Sequence, residues 1–282
     1  MKDSKKLAQP FFKWVGGKSQ LLDKIHEMLP VGFDPKVNTY YEPFLGGAAV
    51  LLSLNPVKAV VSDINPELIN MYQQVKCKPE IVISDLKKFD MCHEGYDNPK
   101  EFYYDVRNDF NKYLGDNTST QAARFIYLNK HCFNGLYRVN SKGGFNVPFN
   151  GKITGESCHF DHLRTVSAQI QSVDFRCCDF EETVQNATAG DFVFIDSPYA
   201  PLTATSFVDY TKEGFAYDDH VRLAKVFKEL SDRGCYCMLT NHDTELIREL
   251  YKDYKITVVD VRRSINRDGD NRKGKEVIIT NF

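Results

Sequence analysis

The chain has 282 residues, 42% hydrophobic and 26% charged, close to the globular average, which excludes wholesale disorder and allows one large or two modest domains. Lys plus Arg is 36 against Asp plus Glu 38, a net charge of -2, which excludes a globally basic, histone-like binder but not a local basic groove. No run approaches the roughly 18 apolar residues of a membrane span, and MKDSKKLAQPFFKW lacks the apolar core of a signal peptide, so a cytoplasmic setting is expected. Cys77, Cys92, Cys132, Cys158, Cys177, Cys178, Cys235 and Cys237 form no C-x-x-C pair and no zinc-finger spacing; reduced thiols and no metal are expected.

In chain order, the first strong strand is predicted at Thr39 to Phe44. Gly46 and Gly47 make a turn, and the small, apolar run Ala48 to Leu54 opens a helix. A second strand, Ala59 to Ile64, leads to Asn65-Pro66, a good N-cap followed by a good first helical residue, so a helix runs on through Tyr72. Strand, glycine turn, helix, strand is one half of a parallel α/β sheet. Residues 79 to 131 read as helices with polar breaks around Gly95 to Pro99 and Gly115 to Ser119. A hairpin turn is expected at Lys142-Gly143-Gly144. From Arg124 to Lys152 stand five basic residues (Arg124, Lys130, Arg138, Lys142, Lys152) and no Asp or Glu, either a solvated surface or a positive patch for a polyanion. Strands resume at Val173 to Cys178 and Asp191 to Ile195. A helix covers Asp218 to Arg233, with Val221, Ala224, Phe227 and Leu230 on one apolar face and Gly234 as its stop. Strand Cys235 to Thr240, helix Thr244 to Tyr251, and strands Ile256 to Val261 and Glu276 to Thr280 complete the chain, with a polar, basic loop before the last. The expected fold is an open α/β sheet interrupted by a helical insertion of about 90 residues, a usual size for a small domain.

Three segments carry chemistry. Glu42-Pro43-Phe44-Leu45-Gly46-Gly47 stands at a strand end before a helix, where open α/β sheets form their ligand crevice, and Asp63 ends the next strand, where a carboxylate can accept both hydroxyls of a ribose. G-x-G-x-x-G and the Walker lysine motif are absent, so a nucleoside without a pyrophosphate is the better fit. Asp196-Ser197-Pro198-Tyr199 follows a strand; a carboxylate and a peptide oxygen can accept from an amino group while the tyrosine stacks on the base. The plain alternative is a proline turn. Phe12-Lys13-Trp14-Val15-Gly16-Gly17-Lys18 suits a backbone closing over a carboxylate-bearing ligand, or simply an amphipathic lead into a helix.

These segments together resemble the Dam-type DNA adenine-N6 methyltransferases, in the subgroup whose cofactor motif precedes the recognition region and the catalytic tetrapeptide. The matching stretches are FFKWVGGKSQLL, YYEPFLGGAAV, VSDINPELIN, FNGLYRVNSKGGFNVPF, DFVFIDSPYAPLTATSF, LTNHDTELIRELY and VVDVRRSI, in the family's order between positions 11 and 265. The resemblance implies a Rossmann-like S-adenosylmethionine-dependent methyltransferase sheet with an inserted helical target-recognition domain carrying a β-hairpin. Residues 1–70 and 160–282 would be the catalytic domain and 71–159 the recognition domain. It implies that S-adenosylmethionine, leaving as S-adenosylhomocysteine, is held by Trp14, Lys18, Phe44, Gly46, Asp63 and Asp196, with Asp179 and Phe180 on its adenine. Asp196, Ser197, Pro198 and Tyr199 would be catalytic. Arg124, Asn134, Leu136, Tyr137, Arg138, Asn140 and Pro148 would face double-stranded DNA, methylated within GATC after base flipping. The alternatives are an N4-cytosine or RNA methyltransferase and a non-catalytic DNA-binding regulator. The partner is a cognate restriction endonuclease if the enzyme belongs to a restriction-modification pair, and none if it is solitary.

Two departures from the family pattern stand out. The tetrapeptide is usually D-P-P-Y, and Ser197 keeps the peptide oxygen but loses the φ-fixing ring. Ala48 stands where a third glycine is common; being small, it is expected to matter little.

Overall fold

The computed structural model describes residues 7–152, 155–201, 215–262 and 273–282. The end of DFVFIDSPYAPLTATSF, the end of VVDVRRSI and the basic loop before the last strand lie outside the described residues. In chain order the elements are α1 (Leu22–Glu27), β1 (Tyr40–Glu42), α2 (Ala49–Leu54), β2 (Ala59–Ser62), α3 (Pro66–Cys77), α4 (Pro79–Gly95), α5 (Pro99–Lys112), α6 (Ser119–His131), α7 (Phe160–Gln169) and β3 (Val173–Arg176). They continue with α8 (Phe180–Val184), β4 (Phe192–Ile195), α9 (Tyr217–Asp232), β5 (Tyr236–His242), α10 (Glu245–Leu250), β6 (Lys255–Arg262) and β7 (Lys273–Thr280). No helix among the described residues is long and apolar enough to cross a membrane. The chain divides into two compact units, residues 1–19, 46–55 and 63–177, and residues 20–45, 56–62 and 178–282.

The first unit is mainly helical. α3 begins where the sequence predicts: the Asn65 side chain accepts from the N–H groups of Glu67 and Leu68, and Pro66 needs no N–H partner. Its run to Cys77 goes beyond Tyr72. The polar breaks fall at the end of α4, the start of α5 and the start of α6, where the Thr118 side chain accepts from Gln121 N. α3, α4 and α5 all pack on α6, whose Phe125, Ile126, Tyr127 and Leu128 are buried. After α6 the chain turns back at Gly143 (φ 78°), with antiparallel bridges Val139–Phe145 and Cys132–Phe149: the predicted hairpin. One face of α5 grips it. Tyr103 and Arg107 donate to Val147 O, and Asn111 donates to Phe145 O while accepting from Phe145 N. These residues are spaced i, i+4, i+8, so all three face the same way.

The second unit is an α/β sheet. Among the described residues six of the chain's strands lie in it, ordered β2-β1-β4-β5-β7-β6. β2, β1, β4 and β5 run parallel, which places Glu42 and Ile195 at the same, carboxyl, end. β7 is antiparallel to both β5 and β6. Only ten residues separate β6 from β7, too few for the crossover a parallel pair needs. The core joins Tyr41, Val193, Ile195, Leu239 and Val277 of the strands to Leu223, Phe227 and Leu230 of α9 and Ile247 of α10. Leu223, Phe227 and Leu230 recur at four and three residues, the spacing of one helix face. Phe227 and Leu230 stand where the sequence pattern puts them; Ala224 is only partly buried, and Val221 is exposed because the face is centred on Leu223 instead.

Candidate active site

In the second unit the tetrapeptide leaves the carboxyl end of β4 and is held by the end of β5. Ile195 pairs with Leu239, so the next β5 residues lie beside the turn. Thr240 Oγ1 donates to Asp196 Oδ1 at 2.8 Å. Asn241 Nδ2 donates to Ser197 Oγ at 3.2 Å, and Asn241 Oδ1 accepts from Ala200 N at 2.8 Å. Tyr199 donates its hydroxyl to Glu276 Oε2 at 2.7 Å, and its ring meets the His242 ring edge-on, centroids 4.6 Å apart. Burial, then the charges of Asp196 and Glu276, push the Tyr199 phenol far above its usual range, so it stays neutral. Ser197 is buried, Asp196 and Tyr199 are half-buried, and Pro198 is exposed. The result is a carboxylate and an aromatic ring, each with its orientation fixed by strand residues: Asp196 by the buried Thr240, and Tyr199 by the half-buried Glu276 and His242. Sequence reasoning assigned no role to Thr240, Asn241, His242 or Glu276. A signal existed: Thr240 and Asn241 are polar residues ending an apolar strand, and fully buried polar groups need partners.

The same unit holds Asp179, Phe180 and Phe44. Asp179 caps α8 by accepting from Glu181 N, and Arg222 grips it with two bonds of 2.8 and 3.0 Å. Burial raises the Asp179 carboxyl, but the Arg222 guanidinium and the Glu181 N–H together outweigh it and the net shift is downward. Of about four lone-pair directions on a carboxylate, three are thus used. The Phe180 ring, 3% exposed, stacks with Phe44 at 5.5 Å and lies under the Arg222 guanidinium at 4.1 Å. Phe44 is the more open face of that pair.

In the first unit Trp14, Gly46 and Asp63 come together, and Lys18 follows the turn in which Gly17 N donates to Trp14 O. Asp63 Oδ2 accepts from Gly46 N at 3.1 Å and Oδ1 from Asn65 N at 3.0 Å. Burial raises its carboxyl above the usual range, while the N–H groups of Asn65, Gly46 and Ile64 pull the other way. Gly46 sits at φ 45° with its α-carbon against the Trp14 indole: a Cβ there would lie 2.7 Å from Cδ1. Lys18 is buried and donates to Gly16 O at 2.5 Å. Ala48 holds φ 57°, the left-handed region that favours glycine. Its small size, the basis of the sequence expectation, is therefore not the property that matters; its backbone is strained.

Also in this unit, the recognition residues divide into outward and inward sets. Arg138 is exposed, with Nε bonded to Asn146 Oδ1 at 2.7 Å and Nη2 to Asn146 O at 3.4 Å. Asn134, at φ 57°, and Pro148 are exposed as well. Asn140 is exposed but holds the turn, accepting from Lys142 N and Gly144 N. Leu136 is half-buried. Tyr137 packs inward on Trp14 and Phe125 at 5.7 and 5.6 Å. Arg124 is mostly buried, over the Tyr113 ring at 5.0 Å and 3.7 Å from an Asp109 carboxylate oxygen. Lys130, Lys142 and Lys152 are exposed.

Residues 14–265 match the family described as D12 class N6 adenine-specific DNA methyltransferase. The type II methyltransferase M1.LlaDCHI of Lactococcus lactis subsp. cremoris is 41% identical, covering 97% of this chain and 95% of its own. The type II methyltransferase M.MjaIII of Methanocaldococcus jannaschii is 41% identical over 97% and 99%. The DNA adenine methylase of Vibrio cholerae O395 is 34% identical over 98% and 97%.

Proposed function

The chain belongs to the D12 class N6 adenine-specific DNA methyltransferases, and from that membership we propose how its own residues divide the work. It is a site-specific DNA methyltransferase acting on adenine N6, and its class takes the methyl group from S-adenosylmethionine. Our reading places the catalysis at Asp196, Ser197, Pro198 and Tyr199, the duplex on the hairpin of residues 132–150, and the target within GATC. Residues 71–159 serve recognition and residues 1–70 and 160–282 serve catalysis in this reading, in a cytoplasmic protein.

The donor sets suit that cofactor. A half-buried carboxylate at Asp63 suits a pair of ribose hydroxyls, Lys18 suits a carboxylate, and the Phe44–Phe180 pair with the remaining lone pair of Asp179 suits an adenine. When bound, the cofactor supplies an electrophilic methyl group on a positively charged sulfur.

The observation that carries the catalytic assignment is the fixed carboxylate of Asp196 beside the fixed ring of Tyr199. An amino group inside a duplex is paired, so the adenine must leave the stack at a cost of a few kcal/mol. The Tyr199 ring stacks on the extruded base, worth about 1–3 kcal/mol. The Asp196 carboxylate and the Ser197 carbonyl accept from its amino group, which favours a tetrahedral nitrogen with an available lone pair. As that nitrogen gains a bond it becomes positive, and Asp196, held in place by Thr240, stabilises the charge without reorganising. The test is Asp196→Ala on GATC and variant duplexes, read by mass analysis of the nucleosides. Loss of N6-methyladenine with retained folding and DNA affinity is expected; substantial turnover would refute the role.

A further inference from the structure

The turn from Asp196 to Ala200 is clamped by one carboxamide. Asn241 is fully buried, and its backbone position is set independently by the pairing of β5 with β7, where Asn241 faces Val277. Its Nδ2 donates to Ser197 Oγ at 3.2 Å, ahead of Pro198. Its Oδ1 accepts from Ala200 N at 2.8 Å, beyond Tyr199, and from His242 N at 2.8 Å. The carboxamide thus ties the turn on both sides of its two central residues, and the third bond fixes the amide's own orientation.

A proline at position 197 would set φ through its ring and would offer no side-chain oxygen. Serine leaves φ soft but gives Asn241 an acceptor. We propose that the Asn241–Ser197 hydrogen bond does the work of the missing ring, making Asn241 a positioning residue that holds the Ser197 peptide so that its carbonyl meets the target amino group. The inference deepens the proposed reading of residues 196–199 and rests on it. A reacting group misplaced by about 1 Å can cost about a hundredfold in rate, so a soft peptide at this point lowers turnover without any loss of binding.

The experiment uses the full chain and compares wild type with S197A, S197P, N241A and both N241A double variants. Three quantities are measured: single-turnover methyl transfer at saturating duplex and cofactor, duplex affinity by fluorescence anisotropy, and cofactor affinity by calorimetry. We expect S197A to slow transfer about tenfold with both affinities within twofold of wild type. S197P should recover most of that loss. N241A should be slower still, because the Ala200 contact also goes, and adding S197A to it should cost nothing more. S197A at wild-type speed, S197P no faster than S197A, losses that multiply across the two positions, or a loss confined to affinity would each overturn the proposal. If N241A does not fold, the comparison of S197A with S197P decides alone. Turnover by Asp196→Ala would remove the underlying reading; an inactive Asp196→Ala beside a full-speed S197A removes only this inference.

Discussion

Acid should weaken the helical unit through one buried imidazole. His131 is completely buried at the end of α6, and its ring lies 4.3 Å from that of His93 and 4.5 Å from that of Tyr127. His93 Nδ1 is bonded to the Tyr127 hydroxyl at 2.7 Å, but neither ring nitrogen of His131 meets a hydrogen-bond partner among the described residues. Burial pushes the His131 imidazole down to about 3, helped by the neighbouring His93 and Lys130. The fold therefore favours the neutral ring, whereas the unfolded chain takes up its proton near the ordinary value of about 6.5. Stability from this group is complete above that value. It falls by about 1.4 kcal/mol for each pH unit below it, until the folded imidazole itself titrates near 3. At pH 5 the loss is about 2 kcal/mol. Asn150 N donates to His131 O at 2.9 Å, so the weakened segment is tied directly to the recognition hairpin. Urea unfolding of wild type and His131→Phe between pH 7.5 and 5 measures the effect. Phenylalanine keeps an aromatic ring and binds no proton, and the carboxylates common to both proteins cancel in the difference. The variant should gain on wild type by about 2 kcal/mol across that range; a difference that does not change with pH would refute the reasoning.

Other perturbations test the site. Arg138→Ala should relax base choice by about 1–3 kcal/mol, because Asn146 pins one edge of the guanidinium and leaves Nη1 and part of Nη2 for a guanine; equal loss of binding on all duplexes would make it a phosphate contact. Gly46→Ala forces a left-handed alanine costing about 1–2 kcal/mol and drives a Cβ into the Trp14 indole. Its melting temperature and cofactor affinity should both fall, and wild-type values for both would contradict the assigned close approach. Arg222→Ala should let the Asp179 carboxyl rise, since the guanidinium, beside the Glu181 N–H, holds it down. Cofactor affinity, followed by calorimetry on lowering the pH from 7, should then begin to drop at a higher pH than in wild type; overlapping pH curves would exclude Asp179 from the cofactor contact.

Local chemistry made much of this protein legible in its sequence. Asn65-Pro66 starts α3 because the side-chain oxygen and the missing N–H solve the helix-start problem within four residues. The glycines at 143 and 144 close the hairpin for a similarly local reason, and the apolar spacing of α9 shows Phe227 and Leu230 on the buried face, though it misplaces Val221, which is exposed. Tertiary structure alone decided other points. Tyr137 and Arg124 stand among the hairpin and basic-run residues, yet they pack against Trp14, Phe125 and Tyr113, because facing depends on what lies opposite. The strain at Ala48 is a backbone angle that side-chain size does not reveal. The partners of Asp196, Ser197 and Tyr199 come from Thr240, Asn241 and Glu276, on strands far along the chain. A hydrogen bond between such residues exists only once β4, β5 and β7 have paired in register. Residue types and short spacings thus announced the chemistry, whereas the orientation of each reacting group came from sheet registry, which sums contacts over the whole unit and is written in no single segment.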